Sequence, residues 1–247
     1  MEELKTRDVV TPWGSRLKMY YRDGLNDWNV IESCLTQDEY LFNKILAGRK
    51  TGIDLGAHLG AATIGMASMG MRVYSVEALP ENAKLVEDNA KLNNLSSLIK
   101  VYNRAIGAND TDILYAHYGN STNENGRHHR YIGVVSTMPN IQEGVEVRII
   151  KTISLDTIFR ENNIQHCDIL KTDCEGGEWP CFENASEETI SKIDWILGEL
   201  HPGFGHNADK LELMDLLWGK FEDVTPQFTD DPSFKNSHVM LHRKNRK

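Results

Sequence analysis

Long apolar runs are missing from this sequence. No stretch approaches the ~20 consecutive apolar residues of a membrane-crossing helix, although 40% of the 247 residues are hydrophobic. The apolar residues come in short pieces, which suits a core inside one compact domain, or one domain with a modest lobe. The N-terminus, MEELKTRDVVTPWGS, is charged and has no leader-type apolar centre, so the cytoplasm is the expected compartment. Basic residues are also short, 27 Lys and Arg against 36 Asp and Glu, a net charge of −9. That balance argues against a nonspecific grip on phosphate backbones, which needs a basic surface. The basic tail HRKNRK reads as a solvated terminus. Cysteine is scarce: Cys34, Cys167, Cys174 and Cys181 form no CxxC pair and stand near no histidine pair, so reduced thiols are expected and a structural zinc is not.

From about Lys50 the sequence alternates short apolar runs with helical patterns, as parallel β/α units do. TGIDLG, RVYSVEA, LIKVYNRAIG, CDILKTD and IDWILGEL read as strands. Leu59 to Met69, PENAKLVEDNAKLNN, SLDTIFREN, EWPCFENASEETISK and ADKLELMDLLWGK read as helical. FEDVTPQ and SHVMLHR are expected to close the sheet as an antiparallel pair. Residues 1–49 read as a cap, with TPWGSRLKMYYRDG as a hairpin and QDEYLFNKILAG as a helix. Residues 50–247 form the main domain. It is interrupted at about 109–150 by a β-rich insertion whose polar stretch, NSTNENGRHHR, is expected to be a mobile loop.

The glycines of TGIDLGAHLGAATIG, residues 51–65, raise the functional question. A dinucleotide fingerprint needs G-x-G-x-x-G, and Ala57 stands where its second glycine belongs. A phosphate-binding loop needs Gly-Lys-Ser/Thr, and none is present. A strand-end acid followed by G-x-x-x-G suits instead a ligand with an amino group beside a ribose, such as S-adenosylmethionine (SAM). Gly56 allows close backbone approach and Gly60 an early helix start. Asp54 is expected near the amino group, directly or through water. Glu77, at the end of the second strand, is expected to accept from both ribose hydroxyls.

DLGAHLGAATIG, VEALPENAKLVEDNAKLN, AIGA, SLDT and above all ILKTDCEGGEW resemble the FkbM-type SAM-dependent methyltransferases over roughly residues 50–200. The resemblance implies an α/β fold, a doubly wound, seven-stranded, mostly parallel sheet of the class I methyltransferase (Rossmann-like) kind. It implies methyl transfer, usually to a hydroxyl of a sugar, polyketide or other small molecule. By position it assigns the cofactor to Asp54, Gly56, Ala57, Gly60 and Glu77, with Ala105 and Ile106 bordering the adenine. His58 departs from the smaller or polar residue common there, and the stretch 117–140 matches no motif.

Ligands of such sheets collect beyond the strands' carboxyl ends, where two acidic clusters fall. One is Asp173, Glu175 and Glu178; the other is Glu199 with His201. For a hydroxyl acceptor the protein must align the groups and remove a proton. His201 is the candidate base by type, and Asp173 by strand position. Lys171, two residues before Asp173, shares its side of the strand and reads as its ion-pair partner or as a satisfied strand residue. Asp173, Glu199 and His201 could instead hold a divalent cation, Mg, Mn or Fe by donor type. Glu175 reads as a turn residue favoured at the next helix's N-terminus. His117, Tyr118, Asn120, Ser121, His128, His129 and Arg130 suit either a flap that recognises a hydroxylated acceptor or a plain surface loop. The remaining alternatives are a nicotinamide-dependent oxidoreductase, and methylation of a nitrogen or of a protein.

Overall fold

The structure is a computed structural model. It describes residues 4–122, 128–136, 146–228 and 238–244, with the stretches 116–122 and 128–136 and residue 146 described by backbone alone. The chain opens with an antiparallel hairpin, β1 (Leu4–Val10) and β2 (Arg16–Arg22), then α1 (Asp27–Leu35) and α2 (Phe42–Ile45). The β/α alternation follows: β3 (Thr51–Leu55), α3 (Ala61–Ser68), β4 (Arg72–Glu77), α4 (Pro80–Leu92) and β5 (Ile99–Asn103). The insertion contributes β6 (Ala105–Ile106), β7 (Ile113–Thr122), β8 (His128–Ser136) and β9 (Glu146–Ile153). The alternation resumes with α5 (Leu155–Glu161), β10 (Cys167–Thr172), α6 (Glu178–Asn184), α7 (Glu187–Ile190), β11 (Ile193–Glu199) and α8 (Lys210–Leu216). The chain closes with β12 (Phe221–Asp223), α9 (Thr225–Phe228) and β13 (His238–Arg243).

Seven strands form one sheet in the order β12-β13-β11-β10-β3-β4-β5. Only β13 runs against its neighbours, and the final antiparallel pair is as the sequence suggested. Chain order reverses between β3 and β10, which opens a crevice at their carboxyl ends. Alternation along the strands splits the core. Ile53, Leu55, Val76 and Leu170 face Ile158, Trp179, Phe182 and Leu213, while Ile169 and Leu197 share the other side with Ile31, Leu35, Phe42 and Ile64. Helix starts follow local chemistry. Pro80 occupies the first turn of α4, and Ser154 Oγ accepts from Thr157 N at 3.2 Å to cap α5.

The cap differs from its sequence reading. Its main helix is α1, over DWNVIESCL, and of the stretch read as a helix only α2, Phe42–Ile45, is helical, with turns and irregular backbone around it. Asp38 and Leu41 take positive φ, 57° and 56°, which no continuous right-handed helix allows. The hairpin's strands lie on either side of Thr11–Ser15, earlier than expected. The cap is tied to α4 by two asparagines one turn apart. Asn89 Oδ1 accepts from Tyr20 N at 2.7 Å and Asn93 Oδ1 from Lys18 N at 2.9 Å, so side-chain amides stand in for a neighbouring strand. The insertion folds as a second sheet, ordered β6-β9-β7-β8. It rests on the domain through Leu114 and Ile150, packed with Leu79 and Ala105. The expected loop, 120–130, differs from its reading: 120–122 end β7 and 128–130 begin β8, while 123–127 lie outside the described residues, as do the side chains of His117, Tyr118, Asn120, Ser121, His128, His129 and Arg130.

Candidate active site

Glu77 is the last residue of β4 and is 6% exposed. Its Oε2 accepts from His58 N at 2.7 Å; its Oε1 accepts from Leu79 N at 2.9 Å and from Asn82 Nδ2 at 3.4 Å. Burial outweighs these donors and pushes the carboxyl up to about 7. Beside it, Asn82 Oδ1 is buried with no hydrogen-bond partner. His58 reaches Glu77 by taking φ +52°. Its Nε2 lies 3.5 Å from both Arg22 Nη2 and Asp27 Oδ1 of the cap, and burial pushes the ring down to about 4, so it is neutral at pH 7. Ala57, Ala105 and Ile106 are all buried at this edge. Gly56 N and Ala57 N both donate to Val76 O at 3.0 Å.

The two glycines serve the chain's own packing. At Gly56, φ +76°, an added Cβ would sit 1.9 Å from Asp173 O, because the loop leaving β10 passes directly over it. At Gly60, φ +93°, it would sit 3.1 Å from Val86 Cγ1, where α3 starts against α4.

Under this edge lies a buried polar row. Register places Lys171 beside Asp54, and Asp54 beside Ser75, across β10, β3 and β4. Asp54 is 0% exposed. Its Oδ2 accepts from Thr63 Oγ1 at 2.6 Å, and its Oδ1 lies 3.1 Å from Lys171 Nζ. The carboxylate therefore sits beneath the crevice, enclosed by its partners. Lys171 Nζ also donates to Gly56 O at 2.9 Å. Burial works against its charge, but Asp54 and Asp173 outweigh burial and hold the ammonium above its ordinary range.

Asp173 follows β10 and divides its carboxylate between two environments. Oδ2 accepts from the Tyr40 hydroxyl at 3.0 Å and lies 3.9 Å from Lys171 Nζ. Oδ1 faces His201 Nε2 at 3.8 Å. The other ring nitrogen, Nδ1, lies 3.2 Å from Oε1 of Glu178, a carboxylate at 0% exposure. Glu178 Oε1 also accepts from Cys174 N at 3.1 Å, while its Oε2 is buried and unpartnered. Burial opposes a charge on His201, yet Glu178, then Glu175 and Asp173, push it up to about 9. At neutral pH the ring is therefore an imidazolium, which donates protons rather than accepting them. Glu175 Oε2 lies 3.9 Å from His201 Nε2, on a turn where Glu175 takes φ +56°. Asp173, Glu199 and His201 each offer a donor atom, all within 4.8 Å of one another. A cavity of about 300 Å³ is lined by Gly107, Asp112, Thr152, Pro180 and Phe204 among others, and by none of these acids.

The model of the FkbM methyltransferase domain matches residues 54–225. The chain belongs to the FkbM methyltransferase family. The matched region is a methyltransferase domain, which sets the nicotinamide alternative aside. No curated protein matches the sequence. Among solved structures, the enzyme resembles a SAM-dependent methyltransferase from Agrobacterium tumefaciens, at 12% identity and a TM-score of 0.47 over 86% of this chain and 57% of that one. It also resembles an rRNA methylase from Streptococcus thermophilus, at 9% identity and TM-score 0.45, over 85% and 95% of the two chains. An RNA methyltransferase from Salinibacter ruber, in complex with S-adenosyl-L-homocysteine, aligns at 22% identity and TM-score 0.26 over 31% and 47%. The enzyme thus spans less than two thirds of the first and third of these proteins. Likenesses of this size do not bear on the acceptor.

Three residues of the enzyme's site carried no assignment from sequence. Tyr40 lies outside the matched region and reaches Asp173 from 133 residues away. Glu178 could be seen only as one member of an acidic cluster, and Asn82 only as a helix residue. Among the described residues, no helix is long and apolar enough to cross a membrane.

Proposed function

We propose that the enzyme methylates a hydroxyl of a small molecule at the carboxyl ends of β10 and β11, with Asp173 as the base. The divided carboxylate of Asp173 carries this reading: Oδ2 is held by Tyr40, while Oδ1, on a side chain that is 32% exposed, faces His201 Nε2 at 3.8 Å, beyond hydrogen-bond distance. SAM supplies an electrophilic methyl group on a sulfonium. The chain's residues then have distinct tasks. Glu77 and the unpartnered Asn82 Oδ1 offer acceptors to the ribose hydroxyls. Ala105 and Ile106 would border the adenine, and the loop Gly56–Ala57–Gly60 would hold the cofactor from its backbone. Asp54 acts from below, by fixing Lys171 and through it the Gly56 carbonyl. Asp173 would take the acceptor's proton and pass it to solvent, while SAM, when bound, would supply the methyl group and leave as S-adenosylhomocysteine. His201, already protonated, holds a donor towards the acceptor oxygen, and Glu199 completes the charged rim. The net charge of −9 favours a small acceptor over RNA.

Asp173→Asn is expected to lower turnover by about 10²–10⁴-fold, the range of a lost acid–base group, while S-adenosylhomocysteine affinity stays within about twofold. The assay is S-adenosylhomocysteine release over a panel of hydroxylated sugars and polyketides. Undiminished turnover would place the base elsewhere. A nitrogen or protein acceptor would show as turnover with amines or peptides in the same panel.

The Glu77 assignment predicts proton release on cofactor binding. Its carboxyl titrates near 7 when free, and hydrogen bonds donated by a ribose favour the ionised form. Affinity for S-adenosylhomocysteine should therefore rise as pH increases from about 6 to 8 and then level off. Calorimetry in buffers of different ionisation enthalpy measures the protons released, and Glu77→Gln should flatten the profile. A profile equally steep in that variant removes the ribose role. A divalent cation (Mg, Mn or Fe) seated by Asp173, Glu199 and His201 is the second reading, favoured by the convergence of their donor atoms.

A further inference from the structure

The loop after β11 places an aromatic residue where its own turn favours a different one. Gly203 N donates to His206 O at 3.2 Å and His206 N to Gly203 O at 2.9 Å, which closes a two-residue turn. Its central residues, Phe204 and Gly205, both take positive φ, 51° and 91°. Turns of that kind favour Asn-Gly or Gly-Gly, because a bulky side chain strains left-handed backbone. Phe204 gains little burial in return, since it is 43% exposed. The surrounding structure nevertheless holds it there. His206 stacks on Trp179 with ring centroids 4.6 Å apart, and its two nitrogens lie 2.7 Å from Glu212 Oε1 and 3.0 Å from Glu183 Oε1. A strained residue fixed in this way points to a use outside the fold.

Phe204 is one wall of the 300 Å³ cavity, which adjoins the turn after Asp173 on two sides. Gly177 packs on Ile106, where an added Cβ would lie 3.0 Å from Cγ2, and the next residue, Gly107, lines the cavity. Gly203 packs on Gly176, where an added Cβ would lie 3.2 Å from the Gly176 Cα, and the next residue is Phe204. Pro180, Ile113 and Leu114 complete the apolar side, and Thr111, Thr152 and Asp112 the polar one. Thr152 Oγ1 donates to Asp112 O and Thr111 Oγ1 to Asn109 Oδ1, both at 2.9 Å, so the lone pairs of both hydroxyls are left to accept. Among the described residues, no lysine, arginine or histidine lines the cavity. A ligand that fits these walls donates hydrogen bonds, carries no negative charge and has an apolar face. The volume, at the low end for ligand pockets, suits a single ring rather than a macrocycle.

We infer that this cavity binds the acceptor through an uncharged pyranose-type ring, with Phe204 as the stacking platform that sets specificity. The ring's C–H hydrogens, slightly positive, lie on the negative face of the phenyl group. Its hydroxyls donate to Asp112, Thr111 and Thr152. The inference rests on the proposed methylation of a small-molecule hydroxyl, and narrows that acceptor to a sugar free of phosphate and carboxylate.

The test uses the full-length enzyme saturated with S-adenosylhomocysteine. Saturation-transfer NMR reads binding of methyl α-D-glucopyranoside, methyl α-D-mannopyranoside and methyl α-D-galactopyranoside, with glucose 6-phosphate and glucuronate as anionic counterparts. At least one neutral glycoside is expected to bind, with the strongest transfer to its ring C–H protons, and both anions more weakly. Phe204→Asn should weaken that binding about 10-fold and leave S-adenosylhomocysteine affinity within about twofold. Because asparagine suits the turn, the urea midpoint should hold or rise. Silence from all three glycosides overturns the inference, as do anions that bind equally well or glycoside binding unmoved by Phe204→Asn. A lower urea midpoint makes Phe204 structural, and a loss of S-adenosylhomocysteine affinity gives the cavity to the cofactor; either overturns it too. Turnover separates the two readings. A hydroxyl acceptor whose KM is unmoved by Phe204→Asn ends the cavity's role alone, whereas turnover confined to amines or peptides ends the proposed function with it.

Discussion

Lys171→Met is expected to destabilise the enzyme by about 3–5 kcal/mol, the cost of leaving one buried charge without its partner. Asp54 has no solvent exposure, and its neighbours on the sheet offer no other cation. Thr63 supplies one hydrogen bond to Oδ2, which does not replace a positive charge on the Oδ1 side. A domain's total stability is about 5–15 kcal/mol, so the variant should unfold at far lower urea concentration, with an unchanged slope. The double variant Asp54→Asn/Lys171→Met removes both charges and should recover most of the loss, because a neutral amide can still accept from Thr63. A loss below about 1 kcal/mol in the single variant would mean that Asp54 is protonated in the fold and the pair is not ionic.

That buried pair marks where sequence reading stops. A strand run that ends in an acid fixes the acid's place at the carboxyl edge, so Glu77 and Asp173 could be located before any coordinates. Which acid looks outward and which inward depends on register between strands far apart in sequence. Asp54 meets Lys171 only because β3 and β10 are neighbours across the switch point. The same limit hid Tyr40: nothing local ties a cap tyrosine to Asp173, and its loop is shaped by left-handed residues at Asp38 and Leu41 that no periodicity announces. Those residues also broke the helix expected at QDEYLFNKILAG. Glu178 was visible as an acid near a helix start, but its burial follows from how α6 packs, with Trp179 Nε1 donating to the His201 carbonyl at 2.7 Å. The seven-stranded sheet was legible because each strand is a short apolar run closed by a turn. The β-rich character of the insertion was legible for the same reason, whereas its role was not.

Gly56→Ala should be more damaging than Gly60→Ala, although both glycines lie in the same loop and both have positive φ. The left-handed conformation itself costs a residue with a side chain about 1–2 kcal/mol, and this applies at both positions. The difference lies in what the new methyl group meets. At Gly60 it meets Val86, at 3.1 and 3.3 Å from the two side-chain methyls and 3.3 Å from the Cα, contacts that a shift of a few tenths of an ångström relieves, and a total loss of about 1–3 kcal/mol is expected. At Gly56 it meets the carbonyl of Asp173, so the backbone of the loop after β10 has to move. That displacement carries Asp173 with it and stretches the bond from Lys171 Nζ to Gly56 O. A loss of about 4 kcal/mol or more is expected, the range reserved for named structural faults. Urea denaturation of the two variants side by side measures the difference, and calorimetry with S-adenosylhomocysteine on Gly60→Ala shows whether the cofactor edge survives a mild repacking. Equal losses would mean that strain alone governs both positions. They would also mean that the crossing of the β10 loop over Gly56, which joins the cofactor edge to the proposed base, is looser than its geometry implies.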